Sequence, residues 1–145
     1  MRSVLLVDED MHLRAQLKPA LVAEGLAVLE AGSAREASEV LRASTVEVLV
    51  VDGLLPGTGL ALIEEVRAQD PRLRIVFVSA VLRDLAGLKK LREELDVSLV
   101  VYKPLDPVNF ARRIAGLARG VSEADSPQDA PNAGSGFAEE LAALR

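Results

Sequence analysis

Short runs of aliphatic residues alternate along this chain with segments in which apolar residues recur every three or four positions. The short runs predict five β-strands, which lie at Val4–Val7, Ala27–Leu29, Val46–Val51, Ile75–Val78 and Leu99–Tyr102. These runs are built mainly from Val, Leu and Ile, which is typical of strands buried on both faces of a parallel sheet. The segments between them have the period of amphipathic helices.

One helix is predicted after each strand, which gives five helices in all. Their apolar faces are marked by Leu13, Leu17 and Leu21; by Ala37, Val40 and Leu41; by Leu62, Ile63 and Val66; by Leu85, Leu88 and Leu91; and by Phe110, Ile114 and Leu117. Five βα units with short connections predict an α/β protein, in which helices cover both faces of a doubly wound five-stranded parallel sheet. The second strand is the shortest and carries Glu30, so we expect it at an edge of the sheet.

Capping residues support three of these helix boundaries. Asp10 is placed to cap the first helix, and Ser33 with Glu36 matches a capping box for the second. Asp106 precedes Pro107, which gives the fifth helix a cap followed by proline at its first position.

The five βα units occupy residues 1–119 and predict one domain, which is the usual number for a chain of 145 residues. Residues 120–136 are rich in Ser, Asp, Pro, Asn and Gly, and they predict a flexible linker. Helical spacing of apolar residues returns over Phe137–Arg145. This last segment predicts a short amphipathic helix or the start of a following domain.

Charge and composition narrow the class of protein. The net charge of −5 argues against direct binding to nucleic acid or to an anionic membrane. No apolar run approaches the length of a membrane span, the N-terminus does not have the pattern of a signal peptide, and there is no cysteine. We therefore expect a cytoplasmic protein without disulfides.

Acidic residues crowd the point where the first strand ends, at Asp8, Glu9 and Asp10. Adjacent carboxylates repel each other, and a hard cation such as Mg²⁺ would relieve that repulsion. Taken alone, this segment is equally well explained as a strand that emerges into solvent through charged residues.

Polar residues at the ends of three other strands favour a cation site over a strand that simply emerges into solvent. Asp52, Ser79 and Lys103 follow the third, fourth and fifth apolar runs. Because the carboxyl ends of parallel strands meet at one edge of a sheet, these side chains should lie around one crevice with Asp8 and Glu9. Carboxylates, a hydroxyl and an ammonium group would together bind a metal ion and a phosphoryl group.

The motifs at these four strand ends resemble those of the receiver domain of bacterial two-component response regulators. They are Asp8-Glu9, Asp52, Ser79-Ala80 and Lys103-Pro104, in this order. The resemblance covers about residues 1–119 and implies a flavodoxin-like fold with strand order 2-1-3-4-5. It also implies that a histidine kinase or a phosphotransfer protein phosphorylates the chain, which then switches a downstream effector domain or protein.

The resemblance assigns a role to each matched residue. Asp52 would be the phosphoacceptor, and Glu9, Asp52 and the backbone carbonyl of Leu54 would bind Mg²⁺, with Asp8 acting through water. Lys103 would pair with a phosphoryl oxygen.

The hydroxyl of Ser79 would donate a hydrogen bond to the phosphoryl group, and Pro104 would follow a cis peptide bond. The resemblance further implies that a homodimer can form through the face of the fourth helix, fifth strand and fifth helix.

Several departures from the family pattern keep other functions open. Gly53 follows the phosphoacceptor directly, the loop after it is short, and Val100 replaces a usual aromatic residue. A receiver-like module that signals by protein contact without phosphorylation is one alternative. A haloacid-dehalogenase-type phosphatase is a more remote one, and its motif would make Asp8 the nucleophile and Asp10 the acid.

Overall fold

Five strands and five helical segments alternate along the described part of the chain. The computed structural model describes residues 1–52, 59–79 and 89–120. The strands are β1 (Ser3–Val7), β2 (Ala27–Ala31), β3 (Val48–Asp52), β4 (Arg74–Ser79) and β5 (Leu99–Tyr102). The helices are α1 (Met11–Ala23), α2 (Ala34–Ala43), α3 (Gly59–Gln69), α4 (Lys90–Glu94) and α5 (Pro107–Ala118).

The strands form one parallel sheet in the order β2-β1-β3-β4-β5, which confirms the predicted doubly wound fold. Each face of the sheet carries its own apolar cluster. The helical members of these clusters include Leu62 and Ile63 of α3 and Leu91 of α4 on one face, and Leu21 of α1 with Phe110 and Ile114 of α5 on the other. Burial on both faces explains why the strands are almost purely aliphatic.

The predicted edge position of β2 is also confirmed. The first four residues of β2 are half-buried and only Ala31 is fully buried, whereas every residue of β1 and β3 is buried. The carboxylate of Glu30 lies 3.6 Å from the Arg14 guanidinium and 3.4 Å from the Lys18 ammonium, both on α1. A charged residue at this position is tolerated because it pairs with α1 at the edge of the sheet.

The predicted caps hold the beginnings of α1, α2 and α5. The Asp10 carboxylate accepts hydrogen bonds from two N–H groups of the first turn of α1, and Asp106 accepts one from the N–H of Asn109. Ser33 Oγ accepts from the N–H of Glu36 at 3.1 Å. The Glu36 carboxylate, however, accepts from the N–H of Gly32 and not from that of Ser33.

The connection from α4 to β5 is unusual in its backbone. The N–H of Leu95 donates to the carbonyl of Lys90, which is the wide spacing of a π-helical turn. Asp96 follows with a φ of 51°, in the left-handed region that favours glycine. Much of the predicted fourth helix, including Leu85 and Leu88, lies outside the described residues.

Arg67, near the end of α3, holds this connection in place. Its guanidinium donates to the carbonyl oxygens of Leu95 (2.7 Å), Asp70 (3.1 Å) and Asp96 (3.1 Å). These carbonyls follow the ends of α3 and α4, where backbone acceptors lack helical partners. One planar cation therefore satisfies the ends of two helices at once.

None of the helices in the described ranges combines the length and the apolar character that crossing a membrane requires.

We predict that Arg67→Ala lowers the free energy of unfolding by about 1–2 kcal/mol, because it removes charge-assisted hydrogen bonds that are partly exposed to solvent. Urea denaturation of the purified protein measures this loss. Arg72→Ala is the matched control, because Arg72 is exposed and its backbone N–H, which the variant keeps, is the group that donates to the Asp70 carboxylate. The control should change the free energy by less than about 0.5 kcal/mol. Equal stability of the two variants would show that the Arg67 hydrogen bonds contribute nothing net.

Candidate functional site

Sheet register brings the candidate residues to one edge. Val7 of β1 pairs with Val51 of β3, so the residues that follow them, Asp8 and Asp52, emerge side by side. Ser79 ends β4 and pairs with Tyr102 of β5, the residue before Lys103. Because all strands are parallel, the four polar side chains start from the same carboxyl edge of the sheet.

Lys103 bridges the two aspartates. Its Nζ lies 3.5 Å from Asp8 Oδ2 and 3.4 Å from Asp52 Oδ1. Both acids are buried, with Asp8 7% and Asp52 4% exposed, whereas the lysine side chain is 22% exposed. Two negative charges removed from water are therefore balanced by one positive charge, which leaves an excess of negative charge in the crevice.

The excess of negative charge in the crevice affects the pKa of Asp8. Burial raises the pKa of the Asp8 carboxyl, and the charge of Asp52 and a hydrogen bond with Asp52 raise it further. The N–H of Asp10, which donates to Asp8 Oδ1 at 2.9 Å, and the Lys103 ammonium act in the opposite direction. The raised pKa means that the crevice holds Asp8 at an electrostatic cost that additional positive charge would reduce.

The hydrogen bond from Asp10 to Asp8 was not predicted from the sequence. An Asp that accepts from the N–H two residues ahead forms an Asx turn, and the Asp-x-Asp spacing is compatible with one. Asp10 itself caps α1, and its carboxylate accepts hydrogen bonds from the N–H groups of His12 and Leu13. This role does not suit the general acid that the phosphatase alternative required.

Ser79 and Lys103 are held next to each other by the backbone. The N–H of Lys103 donates to the carbonyl of Ser79 at 3.0 Å, and the side chain of Ser79 is buried. The peptide bond between Lys103 and Pro104 is cis. Val100 and Tyr102 are both buried in the apolar cluster on the α3–α4 side of the sheet.

A small cavity of about 10 Å³ lies beneath the two aspartates, on the α1 side of the sheet. Apolar side chains form most of its wall, including Leu13 and Leu17 of α1 and Leu105 after β5. A space of this size holds about one water molecule. The carboxylates therefore have protein below them, and a ligand has to approach from the outer side of the edge.

The described residues include only part of the predicted set of metal ligands. Glu9 is exposed, and Leu54 lies outside the described residues. Within residues 1–52, 59–79 and 89–120, no three Asp, Glu, His or Cys side chains are grouped closely enough to hold a metal ion. Asp8 and Asp52 form the described part of the site, and the role of Glu9 stays a prediction.

A family model and several curated proteins match most of this chain. The family model described as "Response regulator receiver domain" matches residues 4–115. Among curated proteins, the chain is 33% identical over 136 residues to the "DNA-binding transcriptional regulator NtrC" of Escherichia coli (strain K12), which covers 89% of the chain and 27% of that protein. It is 26% identical over 134 residues to the "Probable transcriptional regulator ycf27" of Porphyridium aerugineum, which covers 90% of the chain and 54% of that protein. The chain thus spans about a quarter and about half of these two relatives.

Solved structures match over most of the described residues. A response regulator receiver domain protein from Methanospirillum hungatei JF-1 superposes with a TM-score of 0.74 at 21% identity, covering 83% of this chain and 95% of that chain. The receiver domain of the Francisella response regulator 1452 gives a TM-score of 0.73 at 20% identity, covering 83% and 98%. At these identities the likeness shows the fold alone.

We predict that Asp8→Asn stabilises the metal-free protein at neutral pH. The Asp8 carboxyl has a higher pKa in the folded protein than in the unfolded chain, so stability falls as pH rises from about 4, the ordinary pKa of Asp, through the folded value. The advantage of Asn over Asp should therefore be largest above the folded pKa and should shrink as the pH is lowered towards 4. Chemical unfolding at a series of pH values measures it.

Glu9→Gln is the control for this prediction, because it removes the same charge from an exposed neighbour. It should change stability by less than about 0.5 kcal/mol at every pH. A pH-independent effect of Asp8→Asn, or an equal effect of the two variants, would contradict an electrostatic cost at Asp8.

Proposed function

Because the chain belongs to the family of response regulator receiver domains, which act in two-component signalling, we propose that Asp52 accepts a phosphoryl group from the histidine of a kinase or phosphotransfer protein. The observation that carries this proposal is the buried arrangement in which Lys103 bridges Asp52 and Asp8. A carboxylate placed next to a fixed ammonium suits attack on phosphorus, since the product carries more negative charge than the acceptor.

The transfer is a displacement at phosphorus. An oxygen of the Asp52 carboxylate forms the new P–O bond as the P–N bond to the donor imidazole breaks. The imidazole leaves with the electron pair and takes up a proton from solvent. The product is an acyl phosphate on Asp52, and the receiver is consumed and regenerated rather than acting on a separate substrate.

Lys103 and Ser79 support this step from the neighbouring strands. The Lys103 ammonium, 3.4 Å from the acceptor carboxylate, is placed to pair with an oxygen of the incoming phosphoryl group. The Ser79 hydroxyl starts from the adjacent strand end and would donate a hydrogen bond to the same group. The backbone hydrogen bond between Lys103 and Ser79 holds the two residues side by side next to the acceptor.

The described residues fit a divalent cation. Mg²⁺ in proteins is usually bound by one or two carboxylates together with water and substrate phosphate, and Asp8 and Asp52 supply the two carboxylates. The raised pKa of Asp8 shows a demand for positive charge at this point. When bound, Mg²⁺ would neutralise charge that develops on the phosphoryl oxygens. Glu9 and the carbonyl of Leu54 are carried over from the family resemblance as further ligands.

Exposed apolar side chains on the same edge support docking of a protein donor. Met11, at the start of α1, is 65% exposed, and Val108, at the start of α5, is 52% exposed. Both helices begin just beyond the strand ends that carry Asp8 and Lys103, and they pack against each other. Large apolar residues exposed beside a reactive crevice favour a protein partner over a small molecule alone.

The wider organisation is part of the same proposal. Residues 1–119 form the receiver, residues 120–136 a flexible linker, and residues 137–145 a short amphipathic helix or the start of a following domain. Phosphorylation would switch a downstream effector domain or protein, and a homodimer through the α4–β5–α5 face is one way to do so. We place this function in the cytoplasm, without direct contact of this chain with nucleic acid.

We predict that acetyl phosphate with Mg²⁺ adds one hydroxylamine-labile phosphoryl group to the protein. Intact-protein mass spectrometry detects the adduct, and fragmentation locates it. Asp52→Asn should abolish it, because an amide cannot form the acyl phosphate, and removal of Mg²⁺ with EDTA should reduce it strongly. Glu65→Gln, which removes an exposed carboxylate on α3, is the control and should leave labelling unchanged.

Failure of the wild type to gain an adduct would favour the alternative of a receiver-like module that signals by contact alone. Gly53, the short loop after it and Val100 are the sequence features that keep that alternative open, and the first two lie outside the described residues. An adduct on Asp8 would instead indicate phosphatase-like chemistry.

We predict that Met11→Lys and Val108→Lys slow phosphorylation by a phosphohistidine donor protein about tenfold or more, because each places charge on an apolar contact worth more than about 1.4 kcal/mol. Neither should slow labelling by acetyl phosphate, which needs no docking surface. Val22→Lys is the matched control, since Val22 is 51% exposed on the last turns of α1, far from the reactive edge. Equal rates from the protein donor for all three variants would place the docking surface elsewhere.

A further inference from the structure

A second surface feature lies at the opposite edge of the sheet. An open groove of about 510 Å³ is formed where the N-terminus, the turn after α1, the start of β3 and the end of α5 meet. Its floor includes Leu26 and Ala115, which are both buried. Two other exposed apolar residues, Met1 in the groove wall and Val22 in the last turns of α1, belong to this end of the molecule.

The charges around the groove are unevenly balanced. Arg2 and Arg119 line it and are exposed, and neither forms an ion pair with any residue in the described ranges. The carboxylate of Glu47 is already occupied, since it accepts hydrogen bonds from the N–H and the hydroxyl of Ser3 at 2.6 and 2.9 Å. These hydrogen bonds lower the pKa of Glu47, so its carboxylate stays ionised and bound to Ser3 of β1. Glu24 is the remaining acid of the groove and is exposed.

We propose that this groove binds the C-terminal segment of the same chain, Phe137–Arg145. The described structure ends at Gly120, next to Arg119 on the rim of the groove. Sixteen residues, 121–136, separate Gly120 from Phe137. A chain of that length and composition has a root-mean-square span of about 20–24 Å, which is enough to return to the groove.

The segment matches the groove in both polarity and charge. Phe137, Leu141 and Leu144 are spaced to form one apolar stripe, which suits the floor of the groove and the exposed Met1. Glu139 and Glu140 lie near its start and Arg145 at its end. The acid pair is complementary to Arg2 and Arg119, and the terminal arginine to Glu24.

Because the segment belongs to the same chain as the groove, a weak contact is enough to keep it bound there. A nine-residue helix is marginal alone in water, but a tethered segment meets its groove at an effective concentration on the order of millimolar. Because the groove lies at the amino edge of the sheet, its occupation leaves Asp52 accessible. This proposal does not depend on phosphorylation of Asp52.

The test uses the full chain with Phe137→Trp. The protein contains no tryptophan, so this substitution gives a single probe at the segment that we expect to dock. We expect emission at a shorter wavelength, and less quenching by acrylamide, than for the same residue in the isolated segment peptide. Arg2→Glu together with Arg119→Glu should shift the emission to the value of the free peptide.

The control carries Arg42→Glu and Arg112→Glu, two exposed arginines outside the groove that give the same change in net charge. It should leave the emission unchanged. Adding Glu139→Arg and Glu140→Arg to the charge-reversed groove should restore the short-wavelength emission, which would also show that the groove variant is folded.

Three results would overturn the proposal. The first is emission typical of a solvated indole in the parent protein. The second is short-wavelength emission that is insensitive to Arg2 and Arg119, which would place the segment elsewhere. The third is an emission shift that depends on protein concentration, which would mean that the segment binds a second copy of the chain.

Discussion

The site depends on one ammonium group shared by two buried carboxylates. Lys103 Nζ lies 3.4 Å from Asp52 and 3.5 Å from Asp8, and the cavity below the two acids has room for only about one water molecule. Burying two carboxylates costs more free energy than their attraction to one partly exposed lysine recovers, and the pKa of Asp8 is raised accordingly. The crevice therefore carries an excess of negative charge, which an additional cation would reduce.

The rest of the fold makes this arrangement possible by fixing the strand ends. Parallel pairing of Val7 with Val51 and of Ser79 with Tyr102 sets which residues emerge together. A shift of one residue in either pairing would exchange the side chains between the two faces, and each face is closely packed against its own set of helices. Aliphatic packing thus determines the geometry of the polar edge.

The two edges of the sheet differ in what they expose. At the carboxyl edge, Met11 and Val108 are exposed at the starts of the helices that follow β1 and β5, the strands whose ends carry Asp8 and Lys103. At the amino edge, arginines without ion pairs to described residues surround a groove next to the point where α5 ends. Between α3 and β5, Arg67 connects the ends of two helices, and its hydrogen bond to the carbonyl of Asp96 helps to hold that residue in a left-handed conformation that favours glycine.

The sequence by itself determined the layers of this fold, because short aliphatic runs such as Val4–Val7 alternate with segments of helical period, a pattern typical of a parallel sheet covered by helices. It also determined the capping by Asp10 and Asp106, since those contacts are made within one turn. The spacing of polar residues at strand ends was enough to expect Asp8, Asp52, Ser79 and Lys103 at one edge. Only the tertiary structure decided that Asp8 and Asp52 share Lys103 while Glu9 stays exposed, because side-chain distances depend on register and on burial across strands that are distant in sequence. The Arg67 contacts with Leu95 and Asp96 were likewise beyond prediction, since an arginine on an amphipathic helix gives no local sign of the carbonyl groups that it will meet.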